Sequence, residues 1–549
     1  MEIWQLVFAI VPGLALFLYG IESFSKEIEN IAGENFKRAI QRATDNPLGG
    51  TLLGALVTAL IQSSGATTVI TVGLVNAGIL SFTQSLGIIF GANIGTTMTA
   101  QLVAFKLTFI APILIGIGFA IDLFSKKHKV IGKTLFYFGL VFFGLDLVSS
   151  AVAPIKDDPQ IMELFLRLDN VFLGLAAGMI LTTLVQSSSV TTGLVVLLAG
   201  EGLISLGSAL PILLGANIGS TTTSLFAASS MDLYSKRAAA AHTLFNLFGA
   251  VLFLPFLPAF ASAIASLGGE PARQVANAHL AFNLVCAAIF LVFLPQFRRL
   301  VVLAVPGEDE QIILKTRHLK EKYSDIGALL SDSWLEIRHS FEVSQKAFDY
   351  AILCSKEVNS AKANRVRRLE QLSDFLNERV NNAILSFSKE AEGALSERDA
   401  ELLIFTTRVS NGVENFADEA VNILETAERA QAGGASMPDE AINELDSIYS
   451  VFRENLGILI SSADFSGKVR LKIKKNDWIL RERISASYLK QLKRISGKGS
   501  KDLLVSRKAH AGSGFIETLS TIESANSRLG ELRRISVQYI RLNGMKDSG

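Results

Sequence analysis

The stretch QSSGATT at residues 62–68 lies inside an apolar segment, and QSSSVTT at residues 186–192 repeats it 124 residues later. A second motif follows each copy at the same offset: GANIGTT at 91–97 and GANIGST at 215–221. No insertion separates the two motifs in either copy, so the pattern indicates an internal duplication. Polar groups in the middle of membrane-length apolar sequence need a structural or functional reason.

The chain divides into an apolar first part and a charged second part. Of 549 residues, the first 300 hold only 16 of the 52 lysines and arginines and 15 of the 51 aspartates and glutamates. We therefore expect a membrane domain over 1–300 and a soluble domain over 307–549. The net charge of +1 argues against a nucleic-acid-binding protein, and two cysteines do not make a disulfide framework.

Crossing a bilayer takes about 20 mostly apolar residues. Two regions, 47–81 and 171–204, are apolar but interrupted by the Gln-Ser-Ser motif, which predicts re-entrant hairpins with tips near mid-membrane. Three predicted spans separate the hairpins, so these enter from opposite faces and form an inverted repeat with cores 47–105 and 171–229. The predicted spans are 3–24, 83–105, 107–124, 132–150, 206–228, 238–260 and 276–297.

The basic residues of the first part predict its orientation. Twelve of the sixteen fall on one side, the side that carries the soluble domain. This predicts a multi-pass protein of a prokaryotic plasma (inner) membrane, with the N-terminus outside and the C-terminal domain in the cytoplasm. Helical periodicity over 363–387 and 402–430 predicts a helical bundle for that domain. The predicted fold class is all-α throughout.

The repeated motifs would bring uncharged oxygen and nitrogen groups to the hairpin tips and to breaks in the helices that follow. No Lys or Arg lies between Pro47 and Gln101 or between Asp169 and Tyr234. A bound anion would then need helix ends, neutral donors and a co-bound cation, which makes sodium coupling the expectation. In the alternative, these small residues line helix contacts and bind nothing. The candidate phosphate- and sodium-binding residues are Gln62, Ser63, Ser64, Thr67, Thr68, Asn93, Thr96, Thr97, Gln186, Ser187, Ser188, Ser189, Thr191, Thr192, Asn217, Ser220 and Thr221.

A second, shorter repeat follows the second copy, with AHTLFN at 241–246 and AHLAFN at 278–283. It places His242 with Asn246, and His279 with Asn283, on one helix face each. Polar pairs of this kind more often join membrane helices than contact substrate, so packing is the favoured interpretation.

At the repeated motifs the sequence resembles the sodium-dependent phosphate cotransporters of the type II family, in which a QSSS-like motif occurs once per inverted repeat. The resemblance covers roughly residues 1–300. It implies sodium-coupled uptake of inorganic phosphate, with both substrates held around the hairpin tips and an elevator-like or rocking change of access. Gly65 departs from the pattern, because the second copy has Ser189 at that place and the first tip lacks its hydroxyl.

The soluble part looks like the PhoU domain that is often fused to prokaryotic members of that family. RRLEQLSDFLNERV at 367–380 and GVENFADEAVNILETAE at 412–428 carry an E-x-x-x-D spacing. Carboxylates four residues apart on a helix can share a hard or borderline metal ion, divalent or iron-type. An ordinary solvated helix face is the alternative. The candidate metal ligands are Glu370, Asp374, Glu414 and Asp418.

The leading hypothesis is therefore a sodium-coupled phosphate symporter with a cytoplasmic regulatory domain. An enzyme is not expected, since no catalytic triad, nucleotide loop or HExxH motif occurs in a coherent context. Two alternatives stay open: a carrier of another small anion, and a membrane-anchored phosphate sensor whose helical domain is the working part. The expected partners are inorganic phosphate, sodium and the lipid bilayer, without nucleic acid, and a homo-oligomer is compatible with the sequence.

Overall fold

The computed structural model divides the chain into two compact units, Met1–Gln311 and Ile312–Gly549. Its described residues contain helices and no β-strand, so the all-α prediction is confirmed for them. The structure describes residues 3–43, 46–105, 107–153, 169–307, 311–391, 395–434, 437–461, 467–496 and 503–542.

The first unit is a set of apolar helices. Short 3₁₀ segments at Leu107–Ile110 and Leu254–Phe256 precede two of them. The helices are α1 Ile3–Ala43, α2 Pro47–Ile61, α3 Ser64–Asn76, α4 Phe82–Ala104, α5 Ala111–Phe124, α6 Lys129–Val152, α7 Val171–Val185, α8 Ser188–Gly200, α9 Leu206–Gly219, α10 Thr222–Ala228, α11 Leu233–Phe253, α12 Leu257–Ser266, α13 Pro271–Val292 and α14 Leu294–Ala304.

Equivalent helices of the two repeats begin at equivalent capping residues. Asn46 and Asn170 accept backbone hydrogen bonds at the start of α2 and α7, and Ser81 and Ser205 do so at the start of α4 and α9. An N-cap oxygen satisfies an amide that has no acceptor within its own helix. The duplicated sequence therefore fixes the same helix starts twice.

Each predicted hairpin is a pair of helices separated at its glutamine. Gln62 and Gln186 have φ angles of 60° and 57°, and among the described residues no other non-glycine residue has a positive φ. This left-handed conformation costs about 1–2 kcal/mol for a residue with a Cβ, and such strain is often found at functional sites. Ser63 and Ser187 then return to extended backbone and begin α3 and α8. The predicted interruption of both segments is confirmed.

The predicted break at the second motif is right for one copy and wrong for the other. Helix α4 continues through residues 91–97, whereas α9 ends at Gly219 and α10 begins at Thr222. In the second copy, three consecutive hydroxyls at 220–222 donate to carbonyls three residues earlier, at 2.7–2.8 Å. Side chains that occupy carbonyls in this way compete with the helical pattern. In the first motif Thr97 makes the corresponding bond, to the carbonyl of Ile94, within an intact helix.

Length and composition qualify four described helices to cross a membrane, and each coincides with a predicted span. The predicted span 107–124 is the shorter apolar helix Thr108–Phe124, and 3–24 is the beginning of the longer α1. The break between α9 and α10 divides the predicted span 206–228 into two helices. The four helices are Phe82–Ala104, Lys129–Val152, Leu233–Ser266 and Pro271–Val292.

Helix α2 has two different faces. Its outer face carries large side chains that are 53–67% exposed and recur every four residues. Such a continuous apolar stripe is typical of contact with lipid tails. It is formed by Leu48, Leu52, Leu56 and Leu60.

The inner face of α2 packs against α4, and α7 packs in the same way against α9. A Cβ on Gly91 would lie 2.0 Å from the carbonyl oxygen of Thr51. A Cβ on the equivalent Gly215 would lie 1.9 Å from that of Leu175. The first glycine of each GANIG motif thus permits close contact of two helix backbones, as small residues do in membranes. Part of this motif serves packing rather than binding.

The second unit is helical, and its predicted helical runs are confirmed as α16 and α17. Its core includes Phe348, Phe416 and Phe452, whose ring centroids lie 4.7–5.9 Å apart. All three rings are fully buried, so they anchor α15, α17 and α18 to one another. The helices are α15 Ile326–Lys356, α16 Ser360–Glu390, α17 Glu397–Ala432, α18 Asp439–Ser461, α19 Gly467–Ser496 and α20 Leu503–Leu542.

Candidate functional site

The tips of the two hairpins are in direct contact. The hydroxyl of Ser189, in the second copy, donates to the backbone carbonyl oxygen of Gln62, in the first, at 3.0 Å. Thr99 Oγ1 lies 2.7 Å from Gln62 Oε1 and 3.2 Å from Ser189 Oγ. The side-chain amide of Gln62 donates to the carbonyl of Ala59. Gln62, Thr99 and Ser189 are all buried, so residues 127 positions apart form one polar cluster.

Within each hairpin, a pair of threonine hydroxyls joins the two arms. Thr58 donates to Thr67 at 2.9 Å, and the equivalent Thr182 donates to Thr191 at 2.7 Å. Sequence reasoning selected Thr67 and Thr191 but missed Thr58, Thr182 and Thr99. At the ungapped offset of 124 residues, Thr58 aligns with Thr182 and Thr99 aligns with Thr223. The repeat alignment could therefore have identified all three residues.

Three of the candidate threonines have buried hydroxyl oxygens without a hydrogen-bond partner: Thr68, Thr96 and Thr192. Thr68 and Thr192 occupy equivalent places in the two repeats. A buried polar atom without a partner is uncommon and is often explained by a bound ion or water. Each repeat thus keeps one such oxygen in the arm that follows its tip.

The two tips have different environments despite their nearly identical sequences. Gln62 is 6% exposed, whereas Gln186 is exposed to the surroundings. Ser63 accepts a hydrogen bond from the amide of Ala66 at 3.1 Å, but Ser187 makes no capping bond at the start of α8. The amides at this helix end are therefore freer to meet an anion than those of α3. Ser64 and Ser188 are buried.

The asparagines of the GANIG motifs lie in different hydrogen-bond patterns. Asn93 donates to the carbonyl of Ile89 within its own helix, at 2.8 Å. Asn217 instead joins α9 to α13, with its Oδ1 3.1 Å from His279 Nε2 and its Nδ2 3.4 Å from Asn283 Oδ1. This agrees with the packing interpretation of that histidine–asparagine pair.

The other pair lies beside the break between α9 and α10. Ser224 Oγ is 3.2 Å from His242 Nδ1, and Asn246 donates to the carbonyl of His242. Ser220 and Thr221 donate to backbone carbonyls of the preceding turn. In this conformation the protons of these two hydroxyls are used in hydrogen bonds to the backbone at the break.

In the second unit, carboxylates from α16 and α17 come together. Oxygens of Glu370, Asp374 and Asp418 lie within 4.8 Å of one another. Burial, followed by the charge of Asp374, raises the pKa of Glu370 to about 7. Burial also raises the pKa of Asp374, Glu414 and Asp418, with nearby carboxylates adding to the effect for the last two.

This oxygen-only donor set fits a hard or borderline metal ion. One oxygen of Asp374 is buried without a hydrogen-bond partner, as a ligand position would be. Glu414 is not among the three that converge, but it lies close enough to interact electrostatically with Asp374 and Asp418. The sequence-based grouping is therefore supported for three of the four residues.

These features define a polytopic membrane protein with a duplicated core whose two polar tips meet, followed by a second helical unit. Comparison with known proteins gives the family. Residues 16–150 and 160–292 each match the Na+/Pi-cotransporter family, one match per repeat. Residues 337–427 match the PhoU domain. The chain belongs to the Na+/Pi-cotransporter family and carries a PhoU domain, so the predicted resemblance is confirmed.

The chain is also similar to individual proteins. "Uncharacterized protein YqeW" of Bacillus subtilis is 32% identical over 264 residues, 48% of this chain and 86% of the relative. "Putative inorganic phosphate export protein YjbB" of Salmonella typhimurium is 25% identical over 493 residues, 88% of this chain and 90% of the relative. "Sodium-dependent phosphate transport protein 2A" of Ovis aries is 37% identical over 95 residues, 17% of this chain and 15% of the relative. No solved structure matches the chain.

Proposed function

We propose that this protein carries inorganic phosphate across the membrane together with sodium, by alternating access to one site formed by the two hairpin tips. The observation that carries the proposal is the hydrogen bond from Ser189 to the Gln62 carbonyl, which joins the two repeats at their polar motifs. A site shared by two inverted repeats can be exposed to each side in turn by moving one repeat against the other. We assign phosphate and sodium to the candidate residues of both tips.

The absence of basic residues from both repeat cores supports sodium as the partner ion. Neither 47–101 nor 169–234 contains Lys or Arg, so phosphate charge must be offset by helix N-termini, neutral donors and a cation. The freer amides at the start of α8 suit phosphate oxygens. The buried hydroxyl oxygens of Thr68 and Thr192 suit sodium, a hard cation that prefers oxygen ligands.

The unequal burial of the two tip glutamines supports alternating access. In a duplicated carrier the two halves exchange environments as the site changes sides. We interpret buried Gln62 and exposed Gln186 as the closed and the open half of one such state. The opposite state would bury Gln186 and expose Gln62.

We propose uptake as the direction, with the soluble unit in the cytoplasm as a regulatory domain that holds a metal ion at Glu370, Asp374 and Asp418. Export is the second candidate. It is favoured by a specific observation, since the Salmonella relative, named for export, matches 88% of this chain, including most of the soluble unit. The direction of a coupled carrier is set by the sum of the sodium and phosphate gradients. Flux measured under gradients imposed in each direction can therefore distinguish uptake from export.

The test is flux of labelled phosphate in proteoliposomes that contain the full-length protein. We expect uptake to need an inward sodium gradient, to fail with potassium, and to be lost in Gln62→Ala and Gln186→Ala. The matched control is Thr134→Val, which removes a partly exposed hydroxyl that donates to the carbonyl of Val130 within α6 at 2.8 Å. Flux that is independent of sodium would refute the coupling, and full flux in both glutamine variants would refute the site.

Two further measurements address the remaining alternatives. Competition by a panel of small anions decides whether phosphate is the cargo, because a carrier of another anion would prefer that competitor. Removing residues 307–549 separates a carrier from a sensor. A carrier should still move phosphate, whereas a sensor whose working part is the helical unit would lose its output.

A further inference from the structure

The polar cluster at the tips is not symmetric, although the sequence around it is duplicated. Its three members are Gln62, Thr99 and Ser189. The equivalent positions, 124 residues away in the other copy, are Gln186, Thr223 and Gly65. Glutamine and threonine are kept in both copies, but the hydroxyl of Ser189 has no counterpart, because glycine has no side chain.

Each hydroxyl of the cluster has a defined task. Thr99 donates its proton to Gln62 Oε1, its shorter contact at 2.7 Å, and Ser189 donates to the Gln62 carbonyl at 3.0 Å. Together they hold both the side chain and the backbone of Gln62, and the residue is buried. At the other tip, the described residues provide no side-chain hydrogen bond for Gln186, and its side chain is exposed.

We propose that Thr99 and Ser189 form a latch that closes the first tip, and that Gly65 denies the second tip the matching latch. The carrier then favours the state in which Gln62 is enclosed over the state in which Gln186 is enclosed. Thr99 is a positioning residue, since it acts through Gln62. The inference rests on the proposed function in one respect, namely that the two tips close alternately.

The proposal is testable because the missing hydroxyl can be added. A Cβ built on Gly65 meets one neighbouring atom within 4 Å, the hydroxyl of Ser63 at 3.9 Å. Gly65 also has no positive φ, so Gly65→Ser fits the helix without strain. The conservative variant Thr99→Ser keeps a hydroxyl where Thr99→Val removes it.

The experiment measures amide hydrogen exchange of peptides over 60–66 and 184–190 in the full-length protein in lipid nanodiscs. The amides of Gln62 and Gln186 make the same 2.7 Å hydrogen bond, to Thr58 and Thr182. A difference in rate at these two amides therefore reports opening of the tip. Ala66 and Val190 are left out of the comparison, because Ser63 caps the amide of Ala66 whereas Ser187 makes no capping bond. We expect the first tip to exchange more slowly in the wild-type protein.

Ser189→Ala and Thr99→Val should each speed exchange at the first tip by about five- to tenfold, the effect of losing one net hydrogen bond. Thr99→Ser should restore the wild-type rate, and Gly65→Ser should slow the second tip. Thr223→Val is the matched control and should change neither. Equal rates at both wild-type tips, or an unchanged first tip in Ser189→Ala, would overturn the latch.

This measurement needs no phosphate and no sodium, so its result is independent of the flux assay. If the two tips exchange at equal rates in a protein that carries out sodium-coupled phosphate flux, the inference is refuted and the proposed function is unaffected. If the first tip exchanges more slowly in a protein that carries no phosphate, the proposed function is refuted, but the difference between the tips is confirmed.

Discussion

Replacing Glu370 by glutamine should stabilise the soluble unit at pH 8 and have almost no effect near pH 4.5. The pKa of Glu370 rises from 4.5 to about 7, first because of burial and then because of Asp374. A difference of this size corresponds to about 3 kcal/mol. Glu370 is partly exposed, and solvent screening reduces the expected effect to about 1–2 kcal/mol.

The sign follows from proton linkage. The folded unit keeps the Glu370 proton up to a higher pH than the unfolded chain does, so its free energy of unfolding falls as pH rises from about 4.5 to about 7. Above that range Glu370 is ionised in the folded wild type, and the free energy of unfolding is lowered by the full cost of holding that charge beside other carboxylates. Glutamine removes the penalty, and the gain should therefore grow across this window and then level off.

The assay is urea unfolding of the full-length protein in detergent, followed by tryptophan fluorescence. Two of the three tryptophans, Trp334 and Trp478, lie in the soluble unit. Glu378→Gln, an exposed residue two turns further along α16, is the control. A gain that is equal at pH 4.5 and pH 8, or a loss at pH 8, would refute the account of charge crowding. A divalent metal should stabilise the wild type and not Glu370→Gln.

Two predictions concern packing. Gly91→Ala should destabilise the membrane unit by several kcal/mol, because the added Cβ would overlap a neighbouring backbone. The measurement is a lower melting temperature in detergent. In the control Gly73→Ala the added Cβ meets no atom within 4 Å, so the melting temperature should be unchanged or higher. Phe416→Ala should lower the free energy of unfolding of the second unit by about 3–5 kcal/mol in urea titration, since it leaves a cavity beside the rings of Phe348 and Phe452. Leu385→Ala, at a side chain that is 52% exposed, should cost far less.

The sequence by itself determined the local structure of this protein. The capping residues Asn46 and Asn170, the interruptions at Gln62 and Gln186 and the helical runs of the soluble unit follow from groups that are close in the chain. A cap or a helical turn depends on neighbours within about four residues, and these neighbours are visible in the printed sequence. The duplication also identified Gln62 and Ser189, two of the three members of the polar cluster at the tips.

Tertiary structure alone decided how those local pieces meet. The contact of Ser189 with Gln62, and the place of Thr99 between them, depend on how α4 and α8 pack, and no local rule specifies that. The same motif GANIG is followed by intact helix in one copy and by a break in the other. The equivalent glutamines of the two tips differ in exposure, with Gln62 buried and Gln186 exposed, because the environment of a side chain is set by the helices packed around it rather than by its neighbours in sequence.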